Sequence, residues 1–130
     1  MAGKAVKNIN YPIRENVNIG EVRISDDVVV MISALAATEV EGVAYLLGNI
    51  KKNTVSKAGN GKLSKAVKLK VHQGEVDVSV VINVKEGCDI PDTCRSVQEK
   101  ILSAIETMTA LKVSSVNVKV AGIALEKDKS

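Results

Sequence analysis

The chain has 130 residues, enough to close one hydrophobic core without metals or disulfides, and its apolar fraction of 45% comes almost entirely from Val, Ile, Leu and Ala. Phe and Trp are absent and the only aromatic residues are Tyr11 and Tyr45, which leaves no platform on which nucleic-acid bases would stack. A formal net charge of +3 is mildly basic and falls short of the polarity that by itself announces a nucleic-acid or membrane-surface protein.

No apolar run approaches the ~18 to 20 uncharged residues needed to span a bilayer, and the segment from Met1 to Lys7 has no apolar stretch of the kind a signal peptide needs. A cytoplasmic protein is expected. Cys88 and Cys94 are then two free thiols in a reducing compartment.

In chain order, residues 1–17 mix charged and amide side chains without a sustained period, are interrupted by Pro12, and read as a mobile N-terminal arm. A single α+β domain is expected over 18–125. It begins with a short strand over 20–24, where Val22 and Ile24 alternate with Glu21 and Arg23. Ser25 suits a helix N-cap, with Asp26 and Asp27 on the first turn where the helix dipole favours negative charge. The pattern predicts a helix over 26–41, stopped by Gly42 in a left-handed conformation. Its apolar residues, Val28 to Ile32 with Leu35, Ala36 and Val40, cover more than one stripe. Such an excess fits a helix sunk in its own core, or one partly covered by another chain through residues such as Val29 and Val30.

The composition changes over 48–65: Gly48, Gly59 and Gly61 accompany Lys51, Lys52, Lys57, Lys62 and Lys65, and no acidic residue is present. This segment reads as a flexible basic loop, and its lysines are candidate interaction residues for phosphate, anionic lipid or an acidic partner. Two alternating runs then flank Gln73-Gly74, the signature of a β-hairpin. A two-residue turn opposes His72 with Glu75, Val71 with Val76, Lys70 with Asp77, Leu69 with Val78 and Val67 with Val80, which gathers the valines on one face. Pro91 fits the first turn of a second helix, in which Cys94, Val97, Ile101, Ala104 or Ile105, and Met108 recur at helical spacing. Val116, Val118 and Val120 alternate in a last strand, and 126–130 forms a charged tail. The order βαββαβ predicts a two-layer sandwich with two helices on one face of a mainly antiparallel sheet.

Residues for catalysis do not converge. His72, the only histidine, stands beside a hairpin turn; neither thiol has an evident partner for nucleophilic or metal chemistry. Cys94 is expected to pack as a small apolar residue and Cys88 to lie in a turn as the more exposed thiol. Gly59-Asn-Gly-Lys62 invites comparison with a phosphate-binding loop, but Ser56 and Leu63 stand where that motif needs Gly and Ser or Thr. Asp26 and Asp27 are accounted for by capping, and Glu39 and Glu41, two residues apart, do not share a helix face for joint acid–base work. No enzyme, cofactor or metal is expected.

Several segments together resemble the alkaline shock protein family, envelope stress response proteins of mainly Gram-positive bacteria. They are Gly20-Glu-Val-Arg-Ile-Ser25 entering a helix, Ala36-Ala-Thr-Glu-Val-Glu-Gly-Val43, the valine-rich hairpin, Ile90-Pro91, Val97-Gln98 with Ile101, Met108-Thr109 with Leu111, and Val116-Asn-Val-Lys-Val-Ala-Gly122. The resemblance spans roughly 20–123. It implies a non-enzymatic cytoplasmic interaction or scaffold protein near the membrane, acting in envelope stress or lipid and envelope homeostasis through protein partners, membrane-anchored ones included, or through self-association. The alternative from the residues is a nucleic-acid-binding regulator using the basic loop, which the lack of aromatics disfavours.

Overall fold

The computed structural model describes residues 24–125. The N-terminal arm expected over 1–17, the strand expected over 20–24 apart from Ile24, and the tail over 126–130 lie outside the described residues.

Helix α1, Asp26–Thr38, starts where the capping residues predict: the Ser25 side chain accepts a hydrogen bond from the Val28 N–H, and Asp26 and Asp27 occupy the first turn. Its β-branched run costs a few tenths of a kcal/mol per residue in helix propensity, against about 1.5–3 kcal/mol for burying each large aliphatic side chain. Burial wins, since Val29, Val30 and Ile32 all sit in the core. Two buried hydroxyls are satisfied within the helix, Ser33 donating to the Val29 carbonyl at 2.9 Å and Thr38 to the Ala34 carbonyl at 3.0 Å.

The helix stops short of the predicted Glu41. Glu39 caps it in a right-handed conformation, and Gly42 has no positive φ. Glycine is required at position 42 for a different reason: a Cβ there would overlap Thr93 Oγ1 and lie 2.8 Å from Thr93 Cγ2. The chain then forms β1, Val43–Leu46, a short strand that the sequence pattern did not announce.

The hairpin is as expected. Strands β2, Val67–His72, and β3, Glu75–Lys85, pair antiparallel with His72 opposite Glu75, Lys70 opposite Asp77 and Val67 opposite Val80. Gln73 and Gly74 both have positive φ, 53° and 78°, the conformation in which a two-residue turn matches the twist of its strands. Helix α3, Ile90–Thr109, is capped by the Asp89 side chain, with Pro91 in its first turn. It leads into β4, Lys112–Ala124, longer at both ends than the alternation of valines suggested.

Strand β3 organises the sheet. β4 runs parallel to it along its whole length, while β2 pairs antiparallel with its first half and β1 with its last residues. A strand has two edges, so β1 and β2 lie end to end on the edge opposite β4. The molecule is thus an α+β two-layer structure, with α1 and α3 packed together on one face of a mainly antiparallel sheet. Val76, Val78, Val80, Ile82 and Val84 of β3 are fully buried in one core with Val97, Ile101 and Ile105 of α3, and the alternate positions Ser79 of β3 and Lys68 and Lys70 of β2 are exposed.

The segment over 48–65 is not a loop throughout. It carries a 3-10 helix, Lys52–Lys57, and a short helix α2, Asn60–Ala66. Ile50, Val55 and Leu63 bury themselves in the core, at 2%, 0% and 0% exposure, and so pin the lysine-bearing backbone to the domain. Thr54 closes the first turn by accepting from the Lys51 N–H at 2.9 Å.

Candidate functional site

Anchoring of the basic segment distributes its lysines. Lys51, Lys52, Lys57, Lys62 and Lys65 are all exposed, but they do not form one cluster. Lys51 and Lys52 line an open depression of about 520 Å3 together with Thr38, Ala44, Asn53 and Lys85. Lys57 and Lys62 line a second, of about 250 Å3, with Asn49 and Thr54. Lys65 lines neither. Lys85 was missed by sequence reasoning because it ends a strand far along the chain; the pairing of β1 with β3 brings it to the basic segment.

On the helical layer, Val29 and Val30 are 1% and 8% exposed, so they belong to the core and are not available to a partner. A different stripe of α1 reaches the surface: Val28 and Leu35 are exposed, with Met31 half-buried between them. The spacing of three and four residues places Val28, Met31 and Leu35 on one side of the helix, and Ile24, just before its Ser25 cap, is also exposed. Thr93 abuts Gly42, and Lys100 Nζ lies 3.6 Å from Glu39 Oε1, so α3 runs antiparallel to α1. Following α3 by helical steps from Lys100 leads through Ala104 to Met108, which is 66% exposed. Met108 is therefore a surface residue of the helical layer instead of closing the core. Between Ile24 and Glu41 the chain has four acidic residues, Asp26, Asp27, Glu39 and Glu41, and no Lys, Arg or His.

The groups with chemical potential are mostly committed to the fold. Glu106 Oε2 accepts from the Val113 N–H at 3.0 Å, Glu75 Oε1 from Ser114 Oγ at 2.7 Å, and Asp77 Oδ1 from Ser115 Oγ at 2.9 Å. His72 is exposed at the end of β2. Both thiols are free and half-buried, and Cys88, which follows the turn where it was expected, is not the open thiol anticipated but packs against the core. Burial, and secondarily the neighbouring Cys88, holds the Cys94 thiol above the ordinary range, which keeps it protonated and a weak nucleophile near neutrality. Among the described residues no group of three or more His, Cys, Asp or Glu side chains is placed to hold a metal, and no helix is long and apolar enough to cross a membrane.

The model of the alkaline shock protein family, described by a cell envelope-related function, matches residues 14–125. The chain belongs to this family. The matched region takes in every helix and strand described above. Among curated relatives, the uncharacterized protein YqhY of Bacillus subtilis is 33% identical over 109 residues, covering 84% of this chain and 81% of its own. The uncharacterized protein Spy1535 of Streptococcus pyogenes serotype M6 is 33% identical over 110 residues, covering 84% and 83%. The more distant YloU of Bacillus subtilis is 24% identical over 106 residues, covering 80% and 88%. No solved structure matches the chain.

Proposed function

We propose that this family member is a non-enzymatic interaction protein that serves the cell envelope by docking a protein partner on its helical layer. The observation that carries the reading is the strip formed by Val28, Met31 and Leu35 along α1, partly open to solvent, with Met108 exposed on the neighbouring α3. Apolar side chains aligned at helical spacing gain most from an apolar helix laid along them. Glu39 already pairs with Lys100 of α3, but Glu41 adds negative charge beside the end of α1, and the last turn of that helix carries no basic residue to meet the negative end of its dipole. A partner helix with its apolar face flanked by Lys or Arg complements both. Commitment of Glu75, Asp77 and Glu106 to backbone and hydroxyl donors supports a binding role over acid–base catalysis. In this reading the protein works in the cytoplasm beside the membrane, in envelope stress or in lipid and envelope homeostasis, and its partner is membrane-anchored or a second copy.

The test is chemical cross-linking and affinity purification from native cells, comparing the wild-type chain with Val28→Glu combined with Leu35→Glu, alongside sedimentation of the purified proteins. The cross-linked partner or the self-associated species is expected to fall about tenfold or more in the variant, the scale of removing one or two apolar anchors, while circular dichroism stays unchanged. A wild-type chain that sediments as a strict monomer, with no cross-linked protein sensitive to the substitutions, refutes the reading.

A further inference from the structure

The larger depression combines basic, amide and apolar residues without an acidic one. It lies where the end of α1, strand β1, the start of the 3-10 helix and the end of β3 meet. Three lysines, Lys51, Lys52 and Lys85, line it, and no acidic residue is among its lining residues. Val43 and Ala44 contribute an apolar wall, and Asn53 brings a neutral amide able to donate to an oxygen. The Thr38 hydroxyl hydrogen is already engaged with helix carbonyls at 3.0 Å, so Asn53 and the lysines are the donors left for a ligand.

Three like charges around one depression repel one another. Each is worth about 1 kcal/mol to an opposite charge at contact distance in water, and more where the protein displaces solvent. A concave site lined by one sign of charge also raises the local concentration of counter-ions. The rigidity of the arrangement matters as much as its charge. Ile50 and Val55 bury the backbone on either side of Lys51 and Lys52, while Lys85 is held by the sheet, its N–H donating to the Gly42 carbonyl at 2.9 Å. The stems of the three lysines therefore start from fixed positions, and less ordering entropy is lost on binding than for lysines on a free loop.

We propose that this depression is a binding site for a phosphate group carrying at least two negative charges, held by Lys51, Lys52 and Lys85 with Asn53 as the neutral donor. A volume of about 520 Å3 exceeds that of phosphate alone and leaves room for the group to which the phosphate is esterified. That chemistry is shared by phosphorylated small molecules and by phospholipid headgroups. The site is independent of the helical docking strip, so either reading stands or falls without the other.

Titration with pyrophosphate, followed by backbone amide chemical shifts and by calorimetry, is the direct test, with vesicles of phosphatidic acid against phosphatidylcholine as a parallel flotation arm. Shifts are expected at residues 51–53 and 85, with binding that weakens as salt is raised. Lys51→Gln and Lys85→Gln should each weaken binding about fivefold, the scale of one exposed charge contact, while Lys119→Gln on β4 leaves it unchanged. Response to pyrophosphate assigns the site to soluble phosphates; flotation with phosphatidic acid alone, lost in the same variants, assigns it to headgroups. Absence of binding in both arms overturns the proposal. So does binding that Lys119→Gln weakens as much as Lys85→Gln, or retention of single-stranded nucleic acid without either response.

Discussion

At position 42 the space available is that of a hydrogen atom, because Thr93 of α3 occupies the place of a Cβ. This contact sets how closely the first turn of α3 approaches the end of α1, and with it the path of β1. Gly42→Ala is expected to cost roughly 1–3 kcal/mol in denaturant unfolding, the range for forcing a methyl group into a packed site. In combination with Thr93→Ala, which vacates the place, the loss should be smaller than the sum of the two single changes, and additive losses would show that the two residues do not share that space. The same residue shows how a local signal misleads. A glycine after a helical run suggests a left-handed stop, yet the helix ends by a right-handed cap at Glu39 and the glycine answers to a side chain 51 positions further on.

At the scale of elements, the ends of α3 differ. Its start combines the Asp89 cap, bonded to the Asp92 N–H at 3.0 Å, with Pro91; the proline was legible because its preference for a first turn is local, whereas the Asp89 cap was not read. Its other end places Ala110 at φ 64°, a left-handed conformation that costs an L-residue roughly 1 kcal/mol. Ala110→Gly is therefore expected to stabilise the protein by about 0.5–1 kcal/mol, less the entropy glycine adds to the unfolded chain, read as a raised midpoint in thermal or urea unfolding. A lowered midpoint would mean that the alanine methyl makes a contact worth more than the backbone strain. The hairpin was legible for the same reason as that proline. Alternation fixes which face is buried, and the two-residue turn fixes the register, so residues 67–80 pair as their pattern requires.

At the scale of the whole molecule, the basic segment marks the limit of composition as a guide. Glycine and lysine dominate 48–65 and suggest solvated loop, but Ile50, Val55 and Leu63 are buried among the core residues of the sheet and helices. Three apolar residues spread over fourteen positions carry no clean period, so nothing local distinguished them from isolated surface hydrophobics. Leu63→Ala is expected to cost about 2–5 kcal/mol, the range for emptying a core leucine site. The same variant should open the segment to limited proteolysis between Lys51 and Lys65. A loss under about 0.5 kcal/mol, as for an exposed loop position, would refute the anchoring.

The candidate sites divide along the same line. The five lysines and the over-apolar character of α1 were readable in the sequence, whereas the exposure of Val28 and Leu35 in place of Val29 and Val30 was not. On a helix rich in apolar residues throughout, periodicity cannot say which side faces the sheet. Nor did the sequence associate Lys85 with Lys51 and Lys52, since that association passes through the pairing of β1 with β3.

By itself, then, the sequence determined the α+β class, the two long helices, the hairpin with its register, and membership of a cell envelope-related family. Each rests on capping, alternation or motif, interactions that act over a few residues. Only the tertiary structure decided that β4 runs parallel to β3 and that β1 shares an edge with β2. It also decided that the lysine segment is anchored, and which apolar and basic side chains are left at the surface. Those outcomes depend on competition among all elements for one buried volume, and no short stretch of the chain contains that competition.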